Sequence, residues 1–240
     1  PSRTNKQVPT PQSITLAKGL TVMLAPRHGL PVVAANLVFK TGSDSNPADA
    51  PGLANFTAAM LTQGTATRNA LQIADDVAQL GATLTATSTM DASTISTRSL
   101  KKTFPAALDL LADVALRPSF PADELERQRT VRLGQLAQQR ANAQALAATI
   151  VANVLYGDTH PYGFAEIGTE ASLKAMTRDR MRAFWQQNFV PNNAALIVAG
   201  DITMAELRPL AEKAFGAWTR GTPARPALTA PAHASSKVVI

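Results

Sequence analysis

The chain has 240 residues, 45% hydrophobic and 17% charged, which excludes a disordered chain or a coiled coil and leaves one large domain or two small ones. It contains no Cys, so disulfides, cysteine-held zinc or iron–sulfur clusters and thiol catalysis are excluded, while the redox compartment stays open. Lys and Arg number 23 against 17 Asp and Glu, a net charge of +6 that is scattered along the chain rather than clustered.

Residues 1–11 (PSRTNKQVPTP) are polar and without periodicity, and they read as an arm or linker. Strands are expected at Ser13–Ala17 and Leu20–Ala25, joined by a Lys18-Gly19 turn, and again at Val32–Lys40 after the break His28-Gly29-Leu30-Pro31. Thr41–Pro51 is a loop of Gly, Ser, Asp, Asn and Pro, and a short helix follows over Gly52–Leu61. A second helix is predicted over Asn69–Leu80, with Leu71, Ala74, Val77 and Ala78 on one side and Gly81 as its stop.

Thr83–Thr89 and Ala92–Leu100 alternate with period two, as strands of an antiparallel sheet do. Thr103 is expected to cap a helix that carries Pro105 in its first turn and ends before Pro118. Asp123 is expected to cap a longer helical stretch to about Leu155, in one or two pieces, and Thr177 opens another helix to about Phe189. Ala194–Ala199 reads as a fully buried strand. Thr203-Met204-Ala205-Glu206 is a capping box for a last helix, in which Pro209 should introduce a kink.

This order, βββ-α-α-ββ-α-α-α-β-α, lacks strict βαβ alternation. It predicts an α+β fold: a mixed, mainly antiparallel sheet with helices packed on one face. The domain is expected over residues 12–219, with 220–240 as a linker and the start of a following domain.

Several chemistries find no support. Two Trp and two Tyr offer little to stack nucleic-acid bases. The uncharged run 141–157 is too short and too polar to span a bilayer. His28, His160 and His233 lie far apart and read as loop or capping histidines. Ser13, Ser93, Ser96 and Ser99 lack a Gly-x-Ser-x-Gly elbow, and no Gly-rich phosphate loop occurs. Asp75, Asp76 and Asp91 form no recognisable carboxylate pair. Arg127, Arg129, Arg132 and Arg140 read as a solvated or partner-facing helix surface.

Residues 52–65 read Gly-Leu-Ala-Asn-Phe-Thr-Ala-Ala-Met-Leu-Thr-Gln-Gly-Thr. On a helical wheel Leu53, Phe56, Met60 and Leu61 share one face, with Asn55, Ala58 and Ala59 opposite. No charge falls between Pro51 and Thr67, so both sides of this helix should be covered.

The segment resembles the signature helix of the pitrilysin/insulinase family of zinc peptidases, which includes mitochondrial processing peptidases. That signature holds His-x-x-Glu-His between the same flanks. Two His four apart meet one ion, and the Glu serves the metal-bound water as base. Here the first His position is Asn55, the Glu position is Ala58 and the second His position is Ala59. The family's third ligand, a Glu, falls on Gln135, and another family Glu seven residues earlier falls on Gln128. Zinc needs about three protein ligands in a catalytic site, so the resemblance implies a vacated site, with no catalytic or metal-binding residue in this chain.

The resemblance continues through His160-Pro161-Tyr162-Gly163, Ile167-Gly168-Thr169, Asn192-Asn193-Ala194, Val198-Ala199-Gly200-Asp201 and Ala214-Phe215-Gly216-Ala217-Trp218, and covers about residues 13–219. It implies a peptidase of two halves, each of two similar domains, closing round a peptide. Zinc is expected in the other half, in the same polypeptide or a separate subunit. This chain is expected to complete the chamber, with an Arg and a Tyr that contact substrate falling beyond Ile240. The alternative is a structural or binding subunit with no role in proteolysis; an active hydrolase with an unrelated site is a third reading. A periplasmic or envelope location is what bacterial relatives of this kind suggest.

Overall fold

The computed structural model describes residues 10–224 and residue 228. Six strands, β1 (Gln12–Thr15), β2 (Thr21–Pro26), β3 (Val32–Phe39), β4 (Thr83–Ser88), β5 (Ser93–Leu100) and β6 (Ala194–Gly200), form one sheet in the order β1-β2-β6-β3-β5-β4. Only β2 and β6 run parallel; every other neighbouring pair is antiparallel. The expected α+β architecture with a mainly antiparallel sheet is the one observed.

Register explains why one face is covered. Val22, Leu196, Leu37, Ile95 and Ala86 are successive cross-strand partners in one row, as are Leu24, Val198, Ala35, Thr97 and Leu84 in the next. Both rows point to the core, because positions two apart along a strand share a face. The intervening row, Met23, Ile197, Asn36, Ser96 and Thr85, lies on the other face. Ile197 is 40% exposed. The expectation of a fully buried β6 is thereby corrected: a short apolar run does not separate a two-sided strand from a half-buried one.

The helices are α1 (Leu53–Met60), α2 (Ala70–Gln79), α3 (Phe104–Leu116), α4 (Ala122–Ala141), α5 (Ala143–Tyr156), α6 (Glu170–Ala175), α7 (Arg178–Asn188) and α8 (Met204–Phe215). Buried side chains of α1, α3, α7 and α8, including Phe56, Phe104, Leu108, Phe184 and Leu207, join those of the sheet in one core. The capping box Thr203–Glu206 forms, and α8 continues on both sides of Pro209. None of the described helices is long and apolar enough to cross a membrane.

Several local expectations need correction. In α2 the buried residue is Ile73, whereas Leu71 is 70% exposed and Ala74 and Ala78 face solvent. The inward stripe is Ala70, Ile73, Val77 and Leu80, at helical spacing and rotated from the one expected. Gly81 does end the helix, with φ +57 and the paired bonds Ala82 N to Val77 O and Gly81 N to Ala78 O of a Schellman stop.

Thr103 does not cap α3 with its side chain, because a 3-10 turn at Lys101–Thr103 runs straight into the helix. Its hydroxyl donates to Leu80 O instead. Asp123 lies inside the first turn of α4, which Pro121 precedes, and the long helical stretch breaks at Asn142. Asn142 caps α5 by accepting from Ala145 N. Helix α6, with a capping box of Thr169 and Ser172, has only six residues. At that length it shows too little periodicity to be read from sequence. The expected arm at 1–11 and the expected linker and start of a following domain at 220–240 both fall mostly outside the described residues.

Candidate functional site

Helix α1 is set in place by backbone that only Gly tolerates. Gly52 precedes it at φ +88, and a Cβ there would lie 2.5 Å from Ile167 O. Gly168, at φ +91, would put a Cβ 2.4 Å from Pro51 O. The loop at 165–169 is thus locked against the start of α1. Within the first turn, Ala54 N donates to Asn46 Oδ1 at 2.8 Å, a cap supplied from the preceding loop.

Both sides of α1 are covered. Leu53, Ala54, Phe56, Thr57, Ala58 and Met60 are buried, while Asn55 and Ala59 are half-buried. Asn55 is the polar centre of the helix. Its Nδ2 donates to Ser88 O at 3.1 Å, tying α1 to the end of edge strand β4.

The other partner of Asn55 is Arg132, on α4. Arg132 Nη1 donates to Asn55 Oδ1 at 2.6 Å and Nη2 to the Asn55 carbonyl at 3.1 Å. Its guanidinium carbon stands 4.7 Å from the centre of the Phe56 ring. Arg132 is only 7% exposed and shares the inner stripe of α4 with Leu125 and Leu136. No carboxylate among the described residues pairs with it, and Nε is enclosed without an acceptor.

Burial lowers the Arg132 pKa to about 10, so the group remains cationic at neutral pH. Its hydrogen bonds contribute about 1.5–3 kcal/mol each and the ring contact about 2 kcal/mol. These oppose a desolvation penalty of several kcal/mol.

Arg132 is where the expectation of a solvated or partner-facing basic helix surface fails. Arg127 and Arg140 do lie on the outside, paired with Glu124 and Glu170, whereas Arg129, paired with Glu126, is mostly covered and donates to the carbonyls of Leu173, Lys174 and Met176 at the end of α6. Arg132 points inward, because it lies seven residues after Leu125 and four before Leu136. The signal was present in the spacing: Gln128, Arg132 and Gln135 recur at four and three residues, so they share the helix side that meets α1.

Asn55, Arg132 and Gln135 border one cleft of about 720 Å³, together with Gln138, Gln139, Asn142 and Glu166. Ala58, which is buried, and Ala59, which is half-buried, do not line it. These residues do not fit a zinc ion. Ala58 and Ala59 carry no donor atom, the Asn55 side chain is committed to Arg132 and Ser88, and a guanidinium repels a metal cation. Among the described residues, no three His, Cys, Asp or Glu side chains gather closely enough to hold a metal.

The described histidines are occupied elsewhere. His28 Nδ1 lies 2.8 Å from Asp201 Oδ1. His160 accepts from Tyr162 N and stacks on Tyr156. Asp76 pairs with Arg68 and Asp91 accepts from the Tyr162 hydroxyl. His233 lies outside the described residues.

Comparisons with known proteins agree with this architecture. The insulinase family of peptidases, M16, matches residues 21–161, and the peptidase M16 inactive domain matches residues 175–240. An uncharacterized zinc protease of Mycobacterium leprae is 29% identical over 202 residues, covering 84% of this chain and 45% of that protein. The chain spans about half the length of the curated relatives it matches. The solved peptidase M16 inactive domain from Pseudomonas fluorescens superposes with a TM-score of 0.86 at 29% identity, over 92% of this chain and 54% of that one. The periplasmic protease PqqL from Escherichia coli shares the fold, with a TM-score of 0.84 at 19% identity, over 92% of this chain and 25% of that one. With more than half of its residues matched, the chain belongs to the insulinase (M16) peptidase family.

Proposed function

We propose that this chain is a zinc-less, non-catalytic domain of an M16 peptidase that completes the peptide chamber of a zinc-bearing half. That half is either another part of the same polypeptide or a separate subunit. The observation that carries the reading is the Arg132–Asn55 pair: an amide stands where the family resemblance places a metal ligand, and a buried cation is bonded to it. Asn55, Ala58, Ala59 and Gln135 are read as vacated ligand and base positions, and zinc is assigned to the partner half. A chamber wall without a metal still contributes volume, polarity and exclusion of water.

A surface for such a partner is available. Helix α5 has no buried residue and exposes Leu146, Ile150, Val151 and Leu155. Apolar exposure of this extent on one helix is characteristic of an interaction face.

The test combines the full-length protein with a His-x-x-Glu-His-bearing M16 half from the same source. Cleavage of a labelled unfolded peptide is then followed. The proposal expects the mixture to cleave much faster than the zinc half alone. Association without any change in cleavage would assign the chain to a binding role and contradict the proposal. Chelator-sensitive cleavage by this chain alone would do so as well.

A further inference from the structure

The cleft beside α1 holds a buried charge that no carboxylate among the described residues pairs with. Its lining contains one basic residue, Arg132, and one acidic residue, Glu166, among Gln and Asn amides. Arg132 and Glu166 form no ion pair within 4.0 Å, so the guanidinium is buried against a ring, an amide and a carbonyl only. Nη1 and Nη2 each spend one N–H on Asn55 and each carries a second. The enclosed, unpartnered Nε shows that the protein itself does not satisfy the group.

A second positive element borders the same space. Asn142, the cap of α5, and Ala145, in its first turn, line the cleft, so the positive end of that helix borders the space beside Arg132, although the Ala145 N–H is itself given to Asn142 Oδ1. A guanidinium fork and a helix N-terminus both favour an anion, and the fork matches the planar geometry of a carboxylate. The rest of the wall selects among anions. A dianionic phosphate meets one cation only, with the Glu166 carboxylate in the same lining. Gln135, Gln138 and Gln139 offer amide donors and acceptors suited to a peptide group next to a monoanion.

We infer that this cleft is a carboxylate-binding site that seats the C-terminal carboxylate of a peptide on Arg132, with the amides of Gln135 and Gln138 holding the adjoining peptide group. The peptide character of the ligand rests on the chamber reading above; the carboxylate site does not. Binding to this chain alone is therefore measured without any cleavage assay.

Four probes are titrated into the protein by calorimetry and by NMR of the Asn55 side-chain amide. They are N-acetyl-trialanine with a free C-terminus, the same peptide amidated, an amidated peptide with a central Glu, and inorganic phosphate. The free acid should bind at least about tenfold tighter than its amide and shift the Asn55 resonances, as loss of a charge-assisted fork requires. Equal binding of acid and amide, no binding of either, or tighter binding of phosphate would overturn the inference. Equal binding of the free acid and the amidated Glu peptide would show that the site takes a carboxylate from either source, and overturn its assignment to chain ends.

Gln135→Glu provides a second check at an exposed position, one turn from Arg132. The new carboxylate competes for the guanidinium, so binding of the free acid should fall to the level of its amide. Undiminished binding in a folded Gln135→Glu protein would remove Arg132 from the site. Arg132→Gln should abolish the same discrimination.

Discussion

Arg132 Nη1 lies 2.6 Å from Asn55 Oδ1 and joins α4 to α1 at the centre of the candidate site. The two partners are not equivalent, because only one of them carries a buried charge.

Removing Asn55 should therefore cost more than removing Arg132. Asn55→Ala deletes the charged hydrogen bond and leaves the guanidinium desolvated, for an expected loss of about 2–3 kcal/mol. Arg132→Met keeps most of the volume against Phe56 and discards the desolvation penalty, for an expected loss of about 0–1 kcal/mol. Urea unfolding of both variants checks the order; a larger loss for Arg132→Met would contradict it.

Asp113 anchors the turn after α1 to α3 and is 1% exposed. It accepts from Thr65 Oγ1, Thr67 Oγ1, Arg68 Nη1 and Arg117 Nε. Burial pushes its carboxyl up, but the bonds from Thr65, Arg68 and Arg117 outweigh this and hold it below the ordinary 3.8. A depressed carboxylate pKa contributes stability above 3.8 that is lost as pH falls through the lower folded value. Asp113→Asn should cost about 3 kcal/mol at pH 7. Its deficit should shrink in melts below pH 3.8. A deficit independent of pH would contradict the assignment.

The sheet and the longer helices were legible because alternation and capping residues are local signals. Thr177 and Thr203 cap as their sequence context indicates, whereas Thr103 and Asp123 do not. The inner face of α2 was not legible, because Leu71 and Ile73 are both apolar and only packing distinguishes them. Of the site, Asn55 and Gln135 were identified through the family resemblance and do border one cleft. Arg132 was missed because composition classes Arg as a surface residue, and only its register against Leu125 and Leu136 shows that it turns inward.

The corrected face of α2 predicts a clear asymmetry. Ile73→Ala should destabilise by about 2–4 kcal/mol through loss of buried volume. Leu71→Ala should change stability by less than about 0.5 kcal/mol, as an exposed substitution does. Thermal melts of the two variants read this directly, and a reversed order would restore the face expected from sequence.

The interlock of Gly52 and Gly168 predicts that a single methyl group disturbs the whole site. Gly52→Ala or Gly168→Ala meets both a strained φ and a backbone oxygen, for an expected loss of about 2–4 kcal/mol. Gly134→Ala, on α4 with nothing within 4 Å, is the control and should not destabilise. Urea midpoints compare all three; a neutral Gly52→Ala would contradict the lock.

The proposal rests on a cleft in which Asn55 is bonded to a buried guanidinium and no metal ion is held. Equilibrium dialysis of the pure protein against zinc, followed by elemental analysis, measures this. The account predicts no stoichiometric zinc, with unchanged Asn55 side-chain resonances throughout. One tightly held zinc ion per chain, released by a chelator and weakened by Asn55→Ala or Gln135→Ala, would contradict it.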